Sequence, residues 1–253
     1  MMMLTLAKRE LRSLFLSPLA WSILAVVQLI LAYLFLTQLN EFLILQPQLK
    51  MIDGAPGATN LVIAPLYGST TFILMMVVPL LTMRLISEER RSRSLPLLFS
   101  APLSMSEIII GKYLGIVGFL VIMIFMISIM PLSLLLAGNI DLGLLAAIVF
   151  GLILLVAAFA AVGLYMSSLT QQPTVAAVST FGILLLLWII DWAGGKAGDD
   201  GASELLSYLS MLRHYQGLAK GVFSSADVIY FILFISTFLI LSIRRLDVDR
   251  MKG

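Results

Sequence analysis

The densest group of charged residues lies between Ser87 and Lys112, in the interval SEERRSRSLPLLFSAPLSMSEIIIGK. Two acids precede two bases and an apolar patch: Glu88, Glu89, Arg90, Arg91, Leu95, Leu97, Leu98 and Phe99. Apolar side chains on a charged segment suit insertion into a groove of a soluble partner. Basic residues beside apolar runs also bind anionic lipid, and the residue types alone leave both interpretations open.

Catalytic chemistry is not expected in this sequence. The long apolar runs contain no cluster of His, Asp, Glu or Cys, and no HExxH or GxGD motif occurs. The one histidine, His214, lies between the fifth and sixth apolar runs, and a solvated or hydrogen-bonded imidazole is the favoured interpretation over a metal ligand. We therefore predict no catalytic residue and no metal site.

Nucleotide chemistry is not expected within this chain either. A phosphate-binding loop has GxxxxGK followed by Ser or Thr, whereas Gly111 and Lys112 are followed by Tyr113. The stretch GGKAGDDG at 194–201 lacks a preceding strand and predicts a flexible loop. An ion-coupled carrier usually has ionisable groups in the middle of its spans, and these apolar runs have none there.

The composition places the charged interval in a membrane protein. Hydrophobic residues make up 60% of the chain and charged residues 12%, with a mean hydropathy of +1.06, which is outside the range of soluble domains. No polar run is long enough for a soluble module, so residues 1–253 predict a single all-α, polytopic membrane domain. Any energy-coupling domain is then expected on another polypeptide.

The apolar runs predict six spans, since about 20 apolar residues cross a bilayer as a helix. They lie at about 18–39, 65–86, 105–137, 142–166, 174–190 and 227–243. Ahead of them, an apolar face that includes Leu4, Ala7 and Leu11 predicts an interfacial helix. Residues 41–63 contain Pro47, Asp53-Gly54 and Pro56, and we expect a turn-rich connection that does not continue the helix.

The basic residues predict the orientation. Twelve of the sixteen fall at the termini and around the charged interval, and four in the other connections. Cytoplasmic loops are enriched in Lys and Arg, so both termini and the segment 87–104 are predicted to be cytoplasmic. The segment 191–226 is then external, with leucines at helical spacing between Ser203 and Ser225 that predict short interfacial helices.

The third span has a predicted start at Ser104. Ser104 and Glu107 have the spacing of a capping box, in which each side chain binds the other residue's backbone amide. Lys112 then lies in the second turn of the span. We expect it to meet either an acidic group of a partner or a lipid phosphate.

Two longer motifs carry a family resemblance. ISEERRSRSLPLLFSAPLSMSEIIIGKYLG at 86–115 resembles the coupling segment between the second and third spans of type-2 ABC transporter permeases, most closely the GldF- and NosY-like, gliding-motility group. HYQGLAKGVFSSADVIYF at 214–231 is similar to that family's lead into the last span, with Gly221, Asp227 and Tyr230 at matching places. The family usually has Gly-Thr-Leu-Glu where this chain has Arg93-Ser94-Leu95-Pro96, which implies a shorter or differently tilted coupling helix.

The resemblance implies a permease in the bacterial cytoplasmic membrane that forms a homodimer or heterodimer. It implies cytoplasmic ATP-binding cassette ATPases as partners; ATP and Mg²⁺ would bind those chains, and no cofactor or nucleic acid would bind this one. A membrane-anchored, GldG-like protein with an external domain is an implied companion. The expected ATPase contact combines charge with apolar anchors and consists of Glu88, Glu89, Arg90, Leu95, Leu97 and Leu98.

Three classes of function compete. The first is the permease, which would export or extract a substrate or transmit force to an external partner. The second is a non-transporting membrane scaffold, which has no need of an exposed charged and apolar cytoplasmic segment. The third is the ion-coupled carrier, which lacks its ionisable residues here. In the external segment, His214 and Asp227 are the polar residues that we expect at an exit path or an external contact.

Overall fold

The computed structural model describes residues 2–49, 51, 57–92, 104–136, 140–194 and 210–252. These residues form helices joined by turns, and no strand occurs among them. The all-α, polytopic class predicted from the apolar runs is confirmed.

The helices are labelled here in chain order. They are α1 (Met2–Leu16), α2 (Pro18–Leu49), α3 (Ala64–Thr82), α4 (Ser87–Arg91), α5 (Met105–Ser133), α6 (Leu142–Leu169), α7 (Pro173–Gly194), α8 (Met211–Ala219) and α9 (Ser225–Lys252). A π-helical turn, Thr59–Ile63, leads into α3, and a 3₁₀ turn, Leu134–Leu136, ends α5.

Six stretches of helix are long and apolar enough to cross a membrane within the described part of the chain. They are Pro18–Gln48, Thr59–Arg91, Met105–Leu136, Leu142–Leu169, Pro173–Ile190 and Ser225–Met251. The polar stretch before Pro173 separates the fourth span from the fifth, as predicted from the residues that cannot continue an apolar helix.

The first span is longer than predicted. Residues 41–49 continue α2, with Pro47 inside its last turn, so the prediction that residues 41–63 do not continue the helix was wrong for residues 41–49. A proline removes one hydrogen bond to the carbonyl four residues earlier, and this loss is small where the helix is about to end. Asp53-Gly54 and Pro56 lie outside the described residues, and Thr59–Ile63 is already helical.

Successive spans run in opposite directions, which gives the bundle two ends with different chemistry. The charged end, as we name it, holds α1, α4, the first turns of α5 and the last turns of α9, with Glu10, Glu89, Arg90, Lys112 and Asp249. The opposite end holds α8 and the first turn of α9, where Asp227 lies beside His214.

The centre of the bundle is α6. Its small side chains Ala158, Ala160 and Ala161 are fully buried, and α6 contacts α3, α5, α7, α8 and α9. A Cβ on Gly163 would overlap the side chain of Thr82 on α3. Small residues at such positions let membrane helices approach closely.

Helix α1 packs along α5 at the charged end. A Cβ on Gly111 would lie 2.8 Å from Leu6, and one on Gly115 would lie 2.6 Å from Cβ of Glu10, so these glycines make room for α1. Leu6 is buried whereas Leu4 is 66% exposed. Leu4 therefore lies outside the packing face, because residues two apart on a helix point about 200° apart, whereas Leu11, Leu14 and Phe15 of the predicted face do pack against the core.

Helix α9 extends past the predicted end of the last span at residue 243, to Lys252. Its last turns carry acids and bases in helical spacing, including the pair Arg245 and Asp249 at i and i+4. Such pairs support a helix beyond its apolar run. This extension brings Asp249 to α4.

Candidate functional site at the charged end

Helix α4 is held in place by a hydroxyl from α6. Ser167 is fully buried, and its Oγ accepts hydrogen bonds from the amides of Ile86 and Ser87 at 3.0 and 3.1 Å. The same hydroxyl donates to the carbonyl of Met83 at 3.0 Å. Amides at the start of a helix have no partner within it. Ser167 therefore supplies the hydrogen-bond acceptor for the two amides at the break between α3 and α4.

Lys112 joins three helices through a buried ion cluster. Its Nζ lies 2.8 Å from Oε1 of Glu10 on α1 and 2.7 Å from Oε1 of Glu89 on α4. The Lys112 side chain is 3% exposed. A buried charge is tolerated when it is paired and hydrogen-bonded, and here two carboxylates meet one ammonium group.

A second ion pair ties α4 to the end of the chain. The guanidinium of Arg90 binds the carboxylate of Asp249 on α9, and Arg245 approaches the same carboxylate at 3.8 Å. The two clusters together contain three acids and three bases, so their charges balance. Helix α4 is thus linked by ion pairs to α5 and α9, and through Lys112 to α1.

The other face of α4 is open. Glu88 and Arg91 are exposed, as is Ser92, which follows the helix. The nearby ion pair of Arg84 with Glu88 spans 3.9 Å between half-exposed side chains, a geometry that contributes little to stability. The exposed face can therefore exchange its contacts for those of another molecule at small cost.

The residues predicted to contact the ATPase do not all lie on one face of α4. Glu88 lies on the exposed face, whereas Glu89 and Arg90 turn inward to Lys112 and Asp249. Leu95, Leu97 and Leu98 lie outside the described residues.

The expectation for Lys112 requires a correction. Its acidic partners belong to its own chain, and burial of the ammonium group between α1 and α4 leaves no surface for a lipid phosphate or a second protein.

Three residues of the site are not predicted from the sequence. Glu10 lies on the predicted interfacial helix without a predicted role, and Asp249 lies past the predicted end of the last span. Ser167 lies between the predicted fourth and fifth spans, also without a predicted role. The sequence did contain two features that bear on Glu10. They are the acid itself on α1 and the glycines Gly111 and Gly115 on α5, against which α1 packs.

The start of α5 is fixed by its own residues. Oγ of Ser104 accepts from the amide of Glu107 at 3.2 Å, and the Glu107 carboxylate accepts from the amide of Ser104 at 3.0 Å. The predicted capping box is confirmed. It fixes the first turn of the helix that carries Lys112.

At the opposite end, α8 is joined to the first turn of α9. Nδ1 of His214 lies 2.6 Å from Oδ1 of Asp227, and the imidazole stacks on the ring of Tyr230 with centroids 4.1 Å apart. Gly221 ends the turn after α8 at φ +79°, a conformation that favours glycine. His214, Asp227 and Gly221, predicted to share the external segment, therefore form one compact hairpin.

Comparison with known protein families identifies the family of this chain. The model of the family described as ABC-2 family transporter protein matches residues 4–248, nearly the whole chain. The chain belongs to this family. A search of curated proteins gave no significant match.

Membership makes this chain a multi-pass membrane protein and the permease component of an ABC transporter, with an ATP-binding cassette ATPase as its partner. The ATPase is a separate subunit in this family. No group of three or more His, Cys, Asp or Glu able to hold a metal occurs in the part of the chain that the structure describes.

Proposed function

We propose that this permease couples to its cytoplasmic ATPase through the exposed face of α4, and so drives export or extraction of a substrate or transmits force to an external partner. The observation that carries the proposal is the difference between the two faces of α4. One face offers Glu88 and Arg91 to another molecule, and the other is tied by ion pairs to α1, α5 and α9.

Coupling follows from these ties. ATP and Mg²⁺ bind the ATPase subunits, and their closure pushes on α4. The pair of Glu89 with Lys112 passes this displacement to α5 and, through Glu10, to α1. The pair of Arg90 with Asp249 passes it to α9. Rigid elements joined by such networks can carry a coupling free energy between distant sites.

The assembly that we propose follows the resemblance of the two motifs to GldF- and NosY-like permeases. It consists of two permease chains, identical or not, two ATPase subunits and a membrane-anchored companion with a GldG-like external domain. The two motif-bearing regions, α4 and the α8–α9 hairpin, then face the ATPase and the companion, respectively. Membrane lipids surround the remaining apolar surface.

Reversal of charge on the exposed face of α4 tests the coupling contact. Glu88→Lys and Arg91→Glu should reduce co-purification of the ATPase by about tenfold or more, because truncation of one member of a charged pair at an interface costs about 2 kcal/mol or more. The folded chain should be unaffected, since both side chains are exposed. The measurement is the ratio of ATPase to permease after affinity purification from membranes.

Arg12→Glu is the matched control, because Arg12 is an exposed base on α1 at the same end. Normal co-purification of both α4 variants would remove α4 as the contact. A chain that is inserted and stable but never co-purifies with an ATPase in its unmodified form would favour the scaffold.

Cysteine labelling tests the orientation. The native chain has no cysteine, so Ser92→Cys and Lys220→Cys each provide a single exposed thiol at the two ends of the bundle. The twelve basic residues that the sequence has at its termini and around the charged interval predict that the charged end is cytoplasmic. An impermeant maleimide added to intact cells should label position 220 and not position 92, and the reverse pattern would invert the topology.

A further inference from the structure

A cavity of about 620 Å³ lies among α2, α3, α6, α7 and α8, in the half of the bundle nearer α8. Its walls are apolar side chains such as Leu155, Phe159 and Leu184. None of the described residues that line it is charged. An apolar pocket of this size with a few polar groups is typical of a small-molecule site.

One side of the cavity opens between two spans. Phe72 on α3 and Trp188 on α7 border it, are 49% and 40% exposed, and lie with ring centroids 6.2 Å apart. Both belong to helices that are long and apolar enough to cross a membrane. In the single chain, the cavity is therefore open to a hydrophobic molecule at the surface of these two spans.

Polar groups gather on the α8 side of the cavity. Thr71 and Tyr215 both line the cavity on this side, and burial raises the pKa of Tyr215 to about 12, so the phenol stays neutral. Gln216, one residue further along α8, is exposed. The cavity is therefore amphipathic, with an uncharged polar rim at one end and an apolar interior.

We infer that this cavity binds one acyl chain of a membrane lipid, with the lipid headgroup beside Gln216 on α8. An apolar cavity of about 150 Å³ takes a benzene ring and stays dry. A cavity of about 620 Å³ has roughly four times that volume, which suits a flexible hydrocarbon chain. Water is not a suitable occupant of the apolar interior, because a bound water needs two to four polar partners.

A helix from a second copy does not fit the same space. A helix is about 10 Å across with its side chains, so a cavity of about 620 Å³ holds a cylinder of that width only about 8 Å long. This length is about one and a half turns. A single hydrocarbon chain fills the volume without such a mismatch.

Two glycines provide a matched pair for the test. Neither Gly68 nor Gly182 has a neighbouring atom within 4 Å of a built Cβ, so a larger side chain fits at both positions. Gly68 lines the cavity, and Gly182, on α7, does not. Leucine at either site also favours the helix over glycine.

The experiment reconstitutes the full chain in phosphatidylcholine vesicles that contain a trace of phospholipid with a diazirine on its acyl chain. After irradiation, mass spectrometry compares label on the cavity-lining peptides of α3 and α8 with label on Ile229 and Leu233, exposed residues of α9. The unmodified chain should carry strong label in the cavity. Gly68→Leu should reduce it about tenfold, because the new side chain displaces about two methylene groups of the bound chain, and Gly182→Leu should not.

Equal cavity label in Gly68→Leu and the unmodified chain would overturn the inference, as would cavity label no stronger than that on α9. Disulfide-linked dimers formed by Phe72→Cys would show that a second copy covers the cavity, which also overturns it. The labelling requires neither nucleotide nor ATPase. Its failure is therefore distinguishable from failure of the coupling proposal, which the co-purification experiment measures.

Discussion

Replacement of Lys112 by methionine should destabilise the chain by about 3 to 5 kcal/mol, the usual cost of removing one partner from a buried ion pair. The remaining carboxylates of Glu10 and Glu89 would be left close together without their shared cation. The attachment of α1 and α4 to α5 through Lys112 should loosen, and nucleotide hydrolysis by the complex should no longer respond to the permease. Thermal unfolding in detergent and hydrolysis in vesicles measure the two effects.

A triple variant separates the charge from the packing. Glu10→Gln, Glu89→Gln and Lys112→Met together replace the cluster by neutral groups of similar shape, and such replacements of buried ions are often neutral or stabilising. Stability should return, whereas coupling should remain weakened because the ionic tie is gone. Lys220→Met, at an exposed lysine of the opposite end, is the control. Unchanged stability in Lys112→Met would refute the structural role of the cluster.

The sequence predicted six membrane-length helices because bilayer thickness imposes a length on every apolar run. The start of α5 was also predictable, since Ser104 and Glu107 are three residues apart and their capping contacts are local. The end of α2 was not. Pro47 indicates a break by local rules, yet its position in the last turn makes its effect on the helix small.

The ion clusters could not be predicted from local sequence patterns. Lys112 and Glu10 are 102 positions apart, and Arg90 and Asp249 are 159 apart. Pairing at such separations depends on how helices pack, and in a bilayer that packing follows small side chains rather than hydrophobicity. The glycines of α5 were visible in the sequence, but the identity of the helix that packs against them was not.

The distinction between Glu88 and Glu89 shows the same limit. Both residues are acids on one short helix, and the sequence provides no reason to separate them. Successive residues of a helix point about 100° apart, so only the packing of α4 decides which one faces inward. This packing depends on Ser167, a hydroxyl on α6 about 80 positions away.

Exchange of Arg90 and Asp249 should show whether α9 takes part in coupling. Arg90→Asp alone would place two carboxylates together where the side chains are 12% and 21% exposed, and we expect stability to fall by about 2 kcal/mol. Asp249→Arg alone would gather three guanidinium groups, since Arg245 is also near. Each single variant should detach α4 from α9 and weaken the response of nucleotide hydrolysis to the permease.

The double variant, Arg90→Asp with Asp249→Arg, restores opposite charges at the same two positions. Recovery of both stability and coupling would identify the pair itself as the link, because a double-mutant cycle isolates an interaction from the separate effects of its members. Arg244→Asp is the control, since Arg244 lies on the exposed side of the same helix. If the single variants lose stability but keep the normal response of nucleotide hydrolysis, the pair only holds α9 in place and motion passes through Lys112 alone. If neither property recovers, the contact of α4 with α9 does not depend on this charge pair.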